Sequence, residues 1–586
     1  MREASTGLLV ELDPESNVTD LLLEQHTKDP VHALYSRKGA GGWTDVSVQQ
    51  FLDQVTGLAK GLIAGGLTPG ETVAVMSATR YEWTVVDFAI WFAGGVTVPI
   101  YETSSASQVE WILHDSAARR VFVEDHAKAA LVQGVLDTST VLGDRIIAVV
   151  RMEHDGAAPN LASLAAAGTG VTDAELERHR TAASLADVAS LVYTSGTTGK
   201  PKGCEITHAN FALVAKNIVL FLPEILMQPR SRTLMFLPLA HVLARAVQVV
   251  CLSAGTTLGH TASAKELLAD LASFQPTFLL VVPRIFEKVH AGAAHKAAAT
   301  GKERVFTAAA VAAIDYSKAL DAASRGNGKG PGLLLRARHG LFDRLFYPKL
   351  RQTFGGQLRY TVSGASPLSS NDAHFFRGAG IPVLEGYGLT ESTAPCTANT
   401  PARTKVGTVG IPVPGTTIRV ADDGEILVKG IGVFKGYHAN EAANAEAFVD
   451  GFFRTGDLGS LDEDGFLTIT GRKKDLLVTA GGKNVAPGPL EEKIREHQLV
   501  GQAVVIGDGR PFVSALVNLD PDALADWCAA RKVPVMTPAE AAADKRIRAS
   551  IQGAIDEANL LVSKAESIRS FVILDADFTV ESGHLT

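Results

Sequence analysis

The chain has 586 residues, 46% hydrophobic and 20% charged, enough to bury large cores in several domains or subdomains. Its formal net charge of −8 argues against a general nucleic-acid binder, which needs a basic face. Four cysteines, Cys204, Cys251, Cys396 and Cys528, are too widely spaced for a disulfide framework or a cysteine metal site, which fits a reducing, cytoplasmic setting.

The first 16 residues carry Glu3, Glu11, Asp13 and Glu15 and do not read as a signal peptide. The most apolar stretch, residues 87–100, is too short to span a membrane and is broken by Gly94, Gly95 and Pro99. Residues 71–78 predict a buried strand, 82–92 a helix, 96–100 a second strand and 107–116 a second helix. This alternation implies βαβ units and a largely parallel sheet. A further strand covers 188–192, and Thr207 caps a helix running to about Leu222. Residues 233–238 read as a strand, Ser263 and Glu266 have capping-box spacing, and Pro283 suits a helix start after the strand 278–282.

Residues 285–356 differ in texture, being rich in alanine and basic residues around the turn 325–332. They predict a helical insertion of two arms. The second arm, 333–351, mixes Arg336, Arg338, Arg344, Lys349 and Arg351 with leucines and phenylalanines. Such a face suits peripheral contact with an anionic membrane; the simpler reading is a solvated helix packed on one side. Beyond Asp475 the pattern becomes a smaller α+β unit, with helices at 491–497 and 522–532 and strands near 503–506 and 513–518. The fold class is therefore α/β: a large multi-subdomain part, residues 1–472, with mixed, largely parallel sheets flanked by helices, and a small mobile α+β domain, 475–586, joined at 472–475.

The run Tyr193-Thr-Ser-Gly-Thr-Thr-Gly-Lys-Pro-Lys-Gly203 follows the strand 188–192. Its glycines free backbone N–H groups to approach an anion, hydroxyls of Thr194, Ser195, Thr197 and Thr198 add donors, and Lys200 and Lys202 add charge. A Walker A loop needs four residues between its glycines; only Thr197 and Thr198 separate Gly196 from Gly199. The loop resembles the phosphate loop of the adenylate-forming superfamily, which includes acyl-CoA ligases. Further segments resemble that family in its order: Leu237-Pro-Leu-Ala-His241, Ser363-Gly-Ala365, Glu385-Gly-Tyr-Gly-Leu-Thr-Glu391, Arg454-Thr-Gly-Asp457 and Gly471-Arg472. The resemblance spans roughly residues 30–586.

Several roles follow from the chemistry together with that resemblance. Joining a carboxylate to an α-phosphate brings two anions together, so charge must be neutralised during an in-line displacement. Glu391, with Thr194, suits Mg²⁺, a hard cation that takes oxygen ligands. Thr390 donates to the adenylate phosphate, and Asp457 offers acceptors to two ribose hydroxyls, with Arg472 beside it. The resemblance places His241 at the carboxylate pocket, although a lone histidine after a buried strand is more often a core residue. It places Ser195, Gly196, Thr197, Thr198, Gly199 and Lys202 around the phosphates, and Gly364, Ala365, Glu385, Gly386, Tyr387 and Gly388 around the adenylate. It also makes Lys474 the hinge, Gly481 part of a pantetheine channel and Lys483 a phosphate contact.

The run FLPLAHVLAR, the insertion and the joint GRKKD resemble long-chain fatty acyl-CoA synthetases in particular. The resemblance implies ATP, Mg²⁺ and coenzyme A, with a fatty acid as substrate bound in an apolar tunnel closed at one end. Arg245 stands where some relatives have an aromatic gate, so no such gate carries over. The family's adenylating lysine lies near the C-terminus after a Thr-Pro pair; this sequence reads Gly583-His-Leu-Thr586 before any such pair, and Lys564 substitutes poorly. The expectation is slow adenylation with the thioester step retained. Two alternatives stand beside the ligase reading: an acyl-AMP ligase serving a carrier protein, and a crippled acyl-adenylate binder.

Overall fold

The computed structural model describes residues 1–142, 147–153, 159–194, 200–262, 266–531, 533–576 and 578. The expectations for Ser195, Gly196, Thr197, Thr198 and Gly199, for Ser263, and for the last residues lie outside them.

A seven-stranded sheet runs in the order Gly436–Tyr437, Lys202–Thr207, Val188–Thr194, Val96–Ile100, Thr72–Met76, Arg120–Val123, Ala148–Arg151. Its last five strands are parallel, as the βαβ pattern predicts, while Val188–Thr194 and Lys202–Thr207 form an antiparallel hairpin. The helix Tyr81–Phe92 carries apolar residues on every side and is buried except at Glu82, with Asp87 its one buried charge. A second sheet sets Phe278–Val281, Tyr360–Ser363 and Val383–Leu389 parallel, then Ala394–Ala398 and Ile411–Pro412 antiparallel. Val188–Thr194 and Tyr360–Ser363 each run parallel to a neighbour, Val96–Ile100 and Phe278–Val281, which sets Thr194 and Ser363 at strand C-terminal ends, where open α/β sheets bind ligands. Helix α1, His208–Phe221, starts at the Thr207 cap, whose hydroxyl accepts from Asn210 N. Helix α2, Val242–Ala254, starts at His241 and stops at Gly255 in the left-handed conformation.

The apolar helix expected after the Ser263/Glu266 spacing is Leu267–Phe274, and the Glu266 carboxylate pairs with Lys38. The insertion holds Pro283–Ala299, helix α3 (Glu303–Ser324), helix α4 (Leu333–Leu345) and Tyr347–Thr353. Its second arm breaks after Leu345, because Pro348 lacks an N–H and tolerates only the first turn of a new helix. An antiparallel sheet that the sequence did not suggest joins Glu3–Thr6, Thr416–Val420, Glu425–Gly430 and Phe452–Leu461, the last also pairing with Leu467–Arg472.

After Arg472 comes one 3-10 turn, Lys473–Asp475. Beyond it the strands Val500–Ile506, Val513–Leu519 and Ile568–Ile573 and the helices Pro487–Arg495 and Lys545–Asn559 close around their own core, including Leu490, Ile494, Ile551 and Phe571. Among the described residues no helix is long and apolar enough to cross a membrane.

Candidate active site

One cavity of about 670 Å³ opens at the strand ends. Its polar part is lined by Thr194, Lys202, Gly364, Ala365, residues 386–391, Asp457, Arg472 and Lys474. Its apolar part is lined by Val214 and Ile218 of α1, by Leu226, and by Ala246, Val247 and Val250 of α2. His241 lies on the same cavity. The sequence-named residues Thr194, Lys202, His241, Gly364, Ala365, Gly386, Tyr387, Gly388, Thr390, Glu391, Asp457, Arg472 and Lys474 are thus brought together.

Backbone register does much of this. Thr194 and Lys202 are direct partners across the hairpin, so the two ends of the glycine-rich loop are fixed side by side. Asp457 and Arg472 are partners across another hairpin, and Arg472 Nε donates to Asp457 Oδ1 at 3.0 Å. Tyr387 OH donates to the other carboxylate oxygen at 2.5 Å. The Asp457 carboxylate, almost fully buried, is therefore held in one orientation, and each oxygen keeps a lone pair for a hydroxyl donor. Burial and the neighbouring Asp457 charge push the Tyr387 phenol far above its ordinary range, so it stays a donor.

Glu391 sits in the 3-10 turn Thr390–Ser392, half-buried, with Oε1 accepting from Tyr437 OH at 2.9 Å. Lys202 Nζ lies 4.9 Å from the Tyr437 ring centroid. Tyr437 thus joins a cation to a carboxylate; nothing in the sequence marked it. The chain turns sharply after Ser392, with Thr393 at φ 50° and Ala394 at φ 76°, strained values for residues with a Cβ. Gly388 is required opposite this turn, since a Cβ there would stand 2.0 Å from Ala394 O. Another unmarked residue is Trp111, whose ring faces Lys200 Nζ at 4.1 Å and whose Nε1 donates to Pro201 O at 2.8 Å.

His241 caps α2, its Nδ1 accepting from Leu243 N at 3.1 Å. Burial pulls its pKa down, so the ring is neutral with its proton on Nε2, a donor for an oxygen in the cavity. Glu425, near the rim, is buried against its charge, yet hydrogen bonds from Arg454 and Lys473 at 2.8 and 3.0 Å outweigh this and hold its carboxyl low.

Three named residues stay off the cavity. Glu385 is half-buried beside it, its pKa pushed up to about 8 by burial and then by the charge of Glu492. Lys483 is exposed and pairs with Glu566 at 3.2 Å. Gly481 is exposed in the short turn between Leu477–Val478 and Asn484–Val485. Arg245 does not face the cavity at all. It is fully buried, bonds Asp87 through Nη2 at 2.6 Å and Nε at 3.1 Å, and bonds Ser190 Oγ at 2.6 Å among Trp83, Trp91 and Phe211. Among the described residues no group of three or more acidic, histidine or cysteine side chains forms a metal cage. One carboxylate and one hydroxyl, Glu391 and Thr194, do suit Mg²⁺, which keeps waters and shares its shell with substrate phosphates.

The strand-end cavity and the two cores define an adenylate-forming architecture, and the chain belongs to the AMP-binding enzyme family. The family's main domain matches residues 23–438, and its C-terminal domain, described as that of an AMP-binding enzyme, matches 474–580. Among its relatives, the long-chain-fatty-acid–CoA ligase FadD15 of Mycobacterium tuberculosis (strain ATCC 25618 / H37Rv) is 47% identical over 588 residues, covering 100% of this chain and 96% of the relative. The peroxisomal long chain acyl-CoA synthetase 6 of Arabidopsis thaliana is 30% identical, covering 91% of this chain and 77% of its own. ATP-bound MatB from Rhodopseudomonas palustris superposes with TM-score 0.68 at 25% identity, covering 96% of this chain and 95% of MatB. The anthranilate CoA ligase AuaEII, in complex with anthranoyl-AMP, shares the fold, with TM-score 0.70 at 19% identity and coverage of 96% and 94%.

Proposed function

We propose that this chain joins a long-chain fatty acid to coenzyme A at the expense of ATP, through an acyl-AMP intermediate. The observation that carries this reading is one cavity in which an apolar passage lined by α1 and α2 meets a polar end lined by Thr194, Lys202, Asp457 and Arg472. The 47% identity to a long-chain-fatty-acid–CoA ligase supports the same substrates and favours coenzyme A over a carrier protein as acceptor.

In the first step a carboxylate oxygen of the acid bonds to the α-phosphorus of ATP while the bond to pyrophosphate breaks. Lys202 offsets the negative charge, and the Nε2–H of His241 orients the carboxylate. Thr390 donates to the phosphate, and Asp457, fixed by Tyr387 and Arg472, accepts from the ribose hydroxyls. Mg²⁺ held by Glu391 and Thr194 would neutralise phosphate charge. In the second step the coenzyme A sulfur, its thiol proton lost, attacks the acyl carbon and AMP leaves. The domain 475–586 turns about 472–475 between the steps, presenting Lys483 in one orientation and Gly481 in the other. The exposed positions of both residues and the single turn at Lys473–Asp475 support this motion.

The test follows AMP and thioester with hexadecanoic acid, ATP and Mg²⁺, with and without coenzyme A. The expected result is AMP release accelerated by coenzyme A with matching acyl-CoA, and far poorer use of short acids. AMP release indifferent to free coenzyme A would instead favour transfer to a carrier protein.

A further inference from the structure

The two lysines after the glycine-rich run are held by aromatic rings and not by acids. Lys200 Nζ lies 4.1 Å from the centroid of the Trp111 ring, and Lys202 Nζ 4.9 Å from that of Tyr437. Both lysines are exposed, and neither has a carboxylate within ion-pair distance among the described residues. A carboxylate would neutralise the ammonium and would have to be displaced by an incoming anion. A ring attracts the cation through its quadrupole, yet leaves the full charge and the N–H protons for a phosphate.

Trp111 makes a second contact. Its indole Nε1–H, which can only donate, bonds Pro201 O at 2.8 Å. One turn further along the same helix, Ala106–Asp115, Asp115 Oδ2 accepts from Tyr193 OH at 2.7 Å. Tyr193 precedes the run and Pro201 closes it, so one helix face holds both flanks. That helix is anchored by Val109, Ile112 and Leu113 in the core that also takes Leu191 and Tyr193. Trp111 is only half-buried at the edge of this core, with one ring face given to Lys200. Neither Trp111 nor Lys200 lines the cavity. Lys200 therefore suits the outer end of a triphosphate rather than the reacting α-phosphate, and Trp111 acts only through its neighbours.

We propose that Trp111 is a positioning residue for adenylation: it holds Pro201 in place and keeps Lys200 oriented, with its charge free, for the outer phosphates of ATP. The inference rests on the adenylating part of the reading above, which supplies the triphosphate.

The experiment is calorimetric titration of the full chain with Mg-ATP and, separately, with AMP, which lacks the outer phosphates. Trp111→Leu should weaken ATP binding about tenfold and leave AMP binding and the KM for the acid unchanged. Trp111→Phe keeps a ring and loses the indole N–H, so the loss should fall to roughly threefold. In a Lys200→Gln background, Trp111→Leu should add less than about threefold, because the ammonium it orients is gone. Unfolding midpoints verify that the variants fold. Unchanged ATP affinity in Trp111→Leu would overturn the proposal, as would an equal loss in both backgrounds. So would ATP and AMP weakened alike, which would make Trp111 part of the scaffold only. A wild-type chain that binds no ATP would sink this proposal and the ligase reading together. One that binds ATP but forms no acyl-CoA would sink the ligase reading alone, the ATP-specific loss in Trp111→Leu still upholding the role of Trp111.

Discussion

The two ends of the cavity are built on different principles. At the polar end each group is held by a named partner: Asp457 by Arg472 and Tyr387, Glu391 by Tyr437, the loop's flanks by hairpin register. The apolar passage has no such partners. It is lined by valines, leucines and isoleucines of α1 and α2, which also pack against each other. The polar end depends on the identity of single atoms, whereas the passage depends on volume. Substitutions should therefore act sharply and on all substrates at one end, and gradually and by chain length at the other.

The largest effect is expected from Glu391→Ala, which removes the carboxylate we propose would hold Mg²⁺. Acid-dependent exchange of pyrophosphate into ATP should fall by about 10³-fold for every acid tested. Unchanged exchange would remove Glu391 from the reaction. Arg245→Met should come next, through stability rather than chemistry. It leaves Asp87 buried without its partner, which costs about 3–5 kcal/mol, whereas Arg245→Met with Asp87→Leu should recover most of the loss. Denaturant titration reads both; equal loss in the single and double variants would mean that the ion pair is not what anchors α2. His241→Ala should lower kcat/KM for the acid by roughly 10- to 100-fold, equally for long and short acids. Val247→Trp should do the opposite, costing long acids about tenfold while leaving short acids and the KM for ATP alone. A uniform loss across chain lengths would separate Val247 from the acyl passage.

The smallest effect concerns pH. The Glu385 carboxyl, raised to about 8 by burial and by Glu492, binds its proton more tightly folded than unfolded. Its contribution to stability is fully present in acid and is lost as pH rises to and through about 8. Glu385→Gln should flatten the pH dependence of the unfolding midpoint over that window. An unaltered slope would assign the dependence elsewhere.

The polar end was legible in the sequence because its chemistry demands particular residues at particular spacings, as in Glu385-Gly-Tyr-Gly-Leu-Thr-Glu391 and Thr455-Gly-Asp457. Tyr437 was not legible, since a tyrosine in Lys435-Gly-Tyr437 carries no pattern until the short strand Gly436–Tyr437 pairs beside Lys202–Thr207. Periodicity located the parallel strands Thr72–Met76, Val96–Ile100 and Val188–Thr194 and the helices Tyr81–Phe92 and Ala106–Asp115, but not the parallel strands Arg120–Val123 and Ala148–Arg151. It missed the antiparallel sheet from Thr416 to Arg472, whose first strand is completed by Glu3–Thr6 from the far end of the chain.

The sequence by itself determined the family, the motifs that line the cavity and the α/β alternation, because each of these is written in local spacing. Tertiary structure alone decided three things: that Arg245 turns inward to Asp87, that α1 and α2 both line the cavity, and that the leucines of α4 face outward. Each depends on which neighbour a side chain meets across the fold. The same leucine or arginine is core, wall or surface according to what packs against it.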